Sequence, residues 1–69
     1  MKVYIVGPFP GSEEYDPQAY EHAAKRLMKL DHKPESPVKK FEKLDFIDFA
    51  SCMRIVLNGI LEADGVLFL

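Results

Sequence analysis

A chain of 69 residues is enough for one domain, and a domain of that size buries only ~60% of the surface its unfolded form exposes. The single cysteine, Cys52, excludes an internal disulfide, and two histidines cannot complete a zinc-finger spacing with it. A composition that is 48% hydrophobic and 29% charged excludes a disordered chain, and a net charge of −2 argues against nucleic acid as a partner.

The first element is Val3-Tyr4-Ile5-Val6, an apolar β-rich run stopped by Gly7-Pro8 and then by Phe9-Pro10-Gly11. A continuous apolar run bounded by Gly and Pro suits a central parallel strand covered on both faces. Ser12 to Asp16 is polar and acidic, hence loop. Asp16 then offers an N-cap and Pro17 sits at the first helical position, where its missing N–H costs nothing. Tyr20, Ala23, Ala24, Leu27 and Met28 follow at helical spacing as one apolar face, with Glu21 and Lys25 as an i,i+4 pair outside it. This helix should end at Asp31, without the usual glycine.

Between His32 and Lys43, Pro34 and Pro37 allow only a short edge strand or a plain loop. The stretch from Lys25 to Lys43 holds seven of the nine basic residues but only one aromatic, Phe41. With so little to stack on bases, it reads as a solvated face rather than a nucleic-acid surface. A second helix is expected from an N-cap at Asp45, with Phe46, Phe49, Ala50, Met53, Leu57, Ile60 and Leu61 as its buried face, widened by Ile47 and Val56. Gly59 inside it costs ~1 kcal/mol against alanine, which predicts close packing against a neighbour. Glu62-Ala63-Asp64-Gly65 closes the helix, and Val66-Leu67-Phe68-Leu69 is a last apolar strand.

Right-handed crossovers place the last two strands on either side of the first, in order 2-1-3. The expected fold class is α/β: half of a Rossmann-like or flavodoxin-like parallel sheet, about three strands with two helices, in a single truncated domain spanning residues 1–69.

Few residues offer chemistry. Gly7, Pro8 and Gly11 form a turn at the carboxyl end of the first strand, where open α/β sheets bind ligands and glycine lets a sugar or phosphate approach the backbone. The turn is neither a dinucleotide fingerprint nor a P-loop, and a plain structural turn explains it equally. Asp64 could bind ribose hydroxyls or cap the turn into the last strand. Glu13, Glu14 and Asp16 are either solvated or part of a carboxylate pair for glycosidic chemistry. Cys52 has no histidine beside it and reads as a structural thiol. His32 suits a helix end, and Arg54 a surface ion pair.

The segments Tyr4-Ile5-Val6-Gly7-Pro8-Phe9-Pro10-Gly11 and Ala19-Tyr20 with Ala23-Ala24 and Leu27 resemble nucleoside 2-deoxyribosyltransferase-like proteins, closest to a compact branch of that superfamily. His32, Ser36-Pro37, Met53-Arg54 and the run from Leu61 to Leu69 continue the likeness in order. The resemblance covers nearly all of the chain but only the front half of the family's domain. It implies a nucleoside or nucleotide held at the strand ends, with Gly7 and Asp64 matching the binding pattern and Pro8 and Gly11 of the same turn as further candidates. It also implies a nucleophilic glutamate on a helix after the third strand, which lies outside these 69 residues. Val56 stands where the family pattern has an aspartate, and Pro34-Glu35 where it has an apolar pair.

These departures lead to the expectation of a non-catalytic binding protein with no cofactor and no metal. It would act on a protein partner or a second copy through Val66, Leu67, Phe68 and Leu69, with Glu13 and Glu14 as further contacts. Small acidic domains are frequent among phage and mobile-element inhibitors of host defence, anti-CRISPR proteins included, so a viral inhibitor is one form of this reading. The alternative is a nucleoside- or nucleotide-binding protein, or an N-glycosidic enzyme whose site a second chain completes, with Glu13, Glu14 or Glu62 as the supplied carboxylate. No apolar run approaches ~18 residues and no basic stretch precedes one, so a cytoplasmic location is expected, the host cytoplasm if phage-encoded.

Overall fold

The structure is a computed structural model that describes residues 1–69. Strand β1 runs Lys2–Val6, helix α1 Pro17–Lys29, strand β2 Lys33–Glu35, helix α2 Val38–Glu42, helix α3 Phe49–Glu62 and strand β3 Gly65–Phe68. The three strands form one parallel sheet in the order β2-β1-β3. The second strand exists, but it is three residues long and lies at an edge, as its proline requires.

Strand β1 is central because alternate residues serve two apolar layers. Val3 and Ile5 pack with Tyr20, Ala23 and Leu27 of α1, joined by Leu67 of β3. Tyr4 points to the other face and packs with Phe41 of α2 and with Cys52 and Val56 of α3. No long apolar helix could serve both faces; the period of two in β1 divides the core between them.

The start of α1 follows its local code. Asp16 accepts a hydrogen bond from the Gln18 N–H (2.9 Å), and Glu21 pairs with Lys25 (3.4 Å). Its end uses Asp31 at φ 63°, a left-handed position normally filled by glycine, which Asp tolerates better than most residues. Met28, expected on the apolar face, is exposed.

The second half of the chain departs from expectation in three ways. Residues 38–42, read as loop, form the short helix α2, so there are three helices rather than two. The long helix is capped by Asp48, not Asp45: the Asp48 carboxylate accepts from the Ser51 N–H at 2.6 Å. Its buried face is also rotated. Cys52 and Val56 are buried, while Phe46, Phe49, Leu57 and Leu61, expected inside, are exposed. The rotation is set by Gly59, which lies directly on the Tyr4 ring, leaving no room there for a Cβ.

Candidate functional site

The carboxyl ends of the parallel strands meet the turn from Gly7 to Gly11. Leu69 N–H donates to Val6 O (2.8 Å), which brings the Leu69 side chain over Gly7. A Cβ on Gly7 would stand 2.8 Å from Leu69 Cδ1. Glycine is thus required at position 7 by the neighbouring strand end, without any ligand. The Tyr20 hydroxyl donates to Pro8 O (3.1 Å) and pins the turn to α1; burial raises its pKa. Gly11 has φ 96°, a backbone region that side chains disfavour.

Beyond the turn, Phe9 bridges the helices. Its ring lies 5.8 Å from Phe41 and 5.7 Å from Phe49, both off-parallel. Phe9, Gly11, Ser12, Ile47, Asp48 and Phe49 border an open cleft of about 340 Å³, with Cys52 at its floor. This is large enough for a small ligand. The Cys52 sulfur is buried, and desolvation raises its pKa, so the thiol is held protonated rather than prepared for attack. At the cleft rim, the Ser51 N–H lowers the Asp48 pKa, and the resulting carboxylate occupies the N-terminus of α3. An anionic group there would meet a negative charge rather than free N–H donors.

Asp64 is elsewhere. Its carboxylate accepts from the Lys2 N–H (3.0 Å), while its own N–H donates to Lys2 O (2.8 Å). Lys2 begins β1 and Gly7 follows the end of it, so the whole strand separates Asp64 from the glycine turn. Gly7, Pro8 and Gly11 therefore share one end of the sheet, and Asp64 caps the opposite end. The capping role of Asp64 is the one the geometry displays, and a crevice containing both it and the turn does not form.

Glu13 and Glu14 are exposed on the turn before α1, and neither they nor Asp64 line any of the larger clefts. Two carboxylates border each of two cavities: Glu21 and Glu42 an open cleft of about 400 Å³ between α1 and α2, and Glu35 and Glu62, beside Tyr4, Ser36, Lys2 and Lys40, a small one of about 60 Å³. The small cavity holds water, not a nucleoside. Lys2 lies 3.9 Å from Glu35 there. No group of three or more His, Cys, Asp or Glu side chains is placed to hold a metal.

Several large apolar side chains of α3 and β3 are exposed. Around α3, Ile55 packs against the cluster of Tyr4, Phe41, Cys52 and Val56, and Glu62 borders the cavity beside β2. At 100° per residue, Phe49, Met53, Leu57 and Leu61 form a stripe on the opposite flank, toward β3. Leu57 is 52% and Leu61 82% exposed. On the sheet beside this stripe, Val66 and Phe68 share the face of their partners Tyr4 and Val6, and Phe68 is 74% exposed. Of the four residues expected to form an interaction strand, Leu67 points the other way, into the α1 layer. Val66 and Phe68 remain outward, and Leu69, partly exposed, lies against Gly7. Hydrophobic periodicity identified the α3 residues but not which half of their wide apolar arc the sheet would cover.

Fold and site together define a small parallel α/β domain with one sheet edge and one helix flank left bare. No helix is long and apolar enough to cross a membrane. A family model described as a domain of unknown function, DUF4406, matches residues 1–69, and the chain belongs to that family. No curated protein and no solved structure matches it.

Proposed function

We propose that this chain works by binding another protein through the edge of β3 and the adjoining flank of α3, and that its sheet is related to the nucleoside 2-deoxyribosyltransferase-like fold. The observation that carries the reading is the unequal treatment of the two sheet edges. Strand β2 is three residues long, contains Pro34, and carries Lys33 and Glu35. Those are the devices that stop an edge from recruiting another strand. Strand β3 reads Gly65-Val66-Leu67-Phe68, with no charge and no proline, and lies beside an uncharged helix stripe. An inhibitor of a host-defence complex, the role anticipated from size and acidity, would use this same surface.

Capture from a lysate of the source organism tests the reading, with the wild-type chain immobilised beside Phe68→Lys and Leu61→Glu. A protein retained by the wild type and lost from both variants is the expected result. Equal retention by all three would refute it.

The cleft between Phe9 and Phe49 favours a second reading, a nucleoside or nucleotide bound at the strand ends. Its size and position at the carboxyl edge of the sheet support it. A thermal-shift panel of nucleosides and nucleotides decides this, since a ligand at 100 times its Kd adds ~2.7 kcal/mol of stability. No shift with any of them, or an equal shift with Phe9→Ala, removes it.

A further inference from the structure

We propose that two adjoining clefts at the carboxyl edge of the sheet form one trough for a linear diammonium ligand. One ammonium group lies at Asp48, the other at Glu42, and the hydrocarbon between them crosses Pro10 and Ile47. The inference goes beyond the protein-binding reading and does not depend on it, since none of Val66 to Leu69 lines either cleft. It parts from the nucleoside reading of the Phe9–Phe49 cleft in the charge of the ligand.

The two clefts are continuous. Beside the cleft of about 340 Å³ that Phe9, Asp48 and Phe49 border lies a second of about 230 Å³, bordered by Tyr15, Phe41 and Glu42. Pro10 and Ile47 line both, so these two side chains are the low divide between them. The trough runs between the turn after β1 and the connection from α2 to α3.

Aromatic rings follow one another along it. Phe49 lies 5.7 Å from Phe9, Phe9 lies 5.8 Å from Phe41, and Phe41 lies 6.2 Å from Tyr15. Such rings bury hydrocarbon, and their faces attract cations through the ring quadrupole. A chain of methylene groups carrying positive ends meets both properties at once.

Charge selects the ligand class. Asp48 and Glu42 are the only charged residues lining the trough, one in each cleft. Neither has a cation within ion-pair distance; the ion pairs of the fold are Lys2–Glu35 and Lys25–Glu21. Asp48 is fixed by the Ser51 N–H at 2.6 Å, and a carboxylate has about four acceptor positions, so the cap leaves capacity for an ammonium. Its full charge outweighs the roughly half charge at the start of α3. Arg54, which helps to lower the Asp48 pKa, lines neither cleft. At the other end, burial and then the charge of Glu42 raise the Tyr15 pKa, which sets that carboxylate near the Tyr15 ring. A phosphate would meet like charge in both clefts, and an uncharged ligand would leave both carboxylates unanswered. Two ammonium groups joined by hydrocarbon answer both.

Amide NMR titration at low salt tests the inference, with linear diamines from putrescine to octamethylenediamine, each beside the monoamine and the diol of the same length. Saturable shifts at Gly11, Glu42, Asp48 and Phe49 are expected, largest for one diamine length and absent with the diols. Asp48→Asn keeps the cap and Glu42→Gln changes an exposed side chain, so both variants should keep the wild-type spectrum. Each should weaken the best diamine roughly two- to fivefold, the worth of one exposed charge pair, and bring it to the affinity of its monoamine. Added salt should weaken the wild-type complex further. The absence of shifts with every diamine overturns the inference, as does a monoamine or diol that binds as tightly, or a diamine affinity unchanged in either variant. Adenosine shifting these amides while no diamine does overturns it and leaves the nucleoside reading standing.

Discussion

Replacing Gly59 by alanine probes how α3 is held on the sheet. In an exposed helix interior the change stabilises by about 1 kcal/mol, because alanine loses less backbone freedom on folding. Here the added Cβ would fall 2.7 Å from Tyr4 Cδ1 and still closer to Cε1 and Cζ. Tyr4 is 5% exposed and stands on the central strand, paired on both sides, so its ring has no open space to enter. Overpacking of this kind costs about 1–3 kcal/mol, and a helix displaced from the sheet costs more. Subtracting the propensity gain leaves a net loss of about 0–2 kcal/mol, at the upper end if the helix is displaced. For a domain of this size, each 1 kcal/mol moves Tm by about 4–8 °C. Urea unfolding followed by circular dichroism measures it, with an unchanged m-value showing that compactness is kept. In a Tyr4→Val background the ring is gone, and Gly59→Ala should become neutral or stabilising. The coupling between the two sites should therefore exceed about 1 kcal/mol. A Gly59→Ala variant more stable than wild type by the full propensity gain would falsify the placement of α3 over Tyr4.

Asp48→Ala should lower Tm at neutral pH, whereas Asp48→Asn, an equally good cap, should not. The Asp48 pKa is depressed by the Ser51 bond, so its contribution is present above the unfolded carboxylate pKa and is lost as pH falls through the folded one. Melts from neutral to acid pH should show the wild type converging on Asp48→Ala. Asp64→Ala should cost about 1 kcal/mol by removing the acceptor for the Lys2 N–H, without altering any ligand-induced shift; a nucleotide response lost in this variant would return Asp64 to a binding role. On the alkaline side, Cys52 is raised by burial, and Tyr4 is raised from 10 to about 12, chiefly by desolvation. Both groups stabilise the fold fully below their unfolded pKa values and lose that contribution as pH rises through the folded ones. Unfolding should therefore set in above pH ~9 and be nearly complete in effect by pH ~12. Phenolate absorbance rising together with loss of circular dichroism confirms it, and early titration of all three tyrosines in the folded state contradicts it. The Cys52 thiol should react with an aromatic disulfide reagent only as fast as the chain opens, since its sulfur is buried.

Elements with strong local signals were legible in the sequence. The apolar run Val3–Val6 between Lys2 and Gly7, the Asp16-Pro17 start of α1, and the final apolar run are each specified within a few residues. From their order alone the strand arrangement 2-1-3 follows, because right-handed crossovers leave little choice. The stretch from Pro37 to Asp48 was less legible. Two acidic residues, Asp45 and Asp48, each precede an apolar run, and only the path of the chain around Phe41 and Leu44 decides which one caps the helix. Nor could α2 be anticipated, because five residues are too few to show helical periodicity.

The candidate site divides in the same way. The turn of Gly7, Pro8 and Gly11 follows the strand end, as the residue order predicts, but the reason for Gly7 is a contact with Leu69, 62 positions away in sequence. Asp64 is not a companion to them, because the register of β3 aligns it with Lys2 at the start of β1 rather than with its end. Local propensity, capping and hydrophobic period act over a few residues, and these determined the elements, their order and the parallel sheet from a chain of 69 residues. Tertiary contact alone determined which half of the apolar arc of α3 would be covered. The Tyr4 ring fits only over Gly59, and that one close approach turns Phe49, Leu57 and Leu61 outward. The short length first suggested only a marginal core. The rotation of α3 shows that much of the chain's apolar surface lies outside that core, on the flank beside β3.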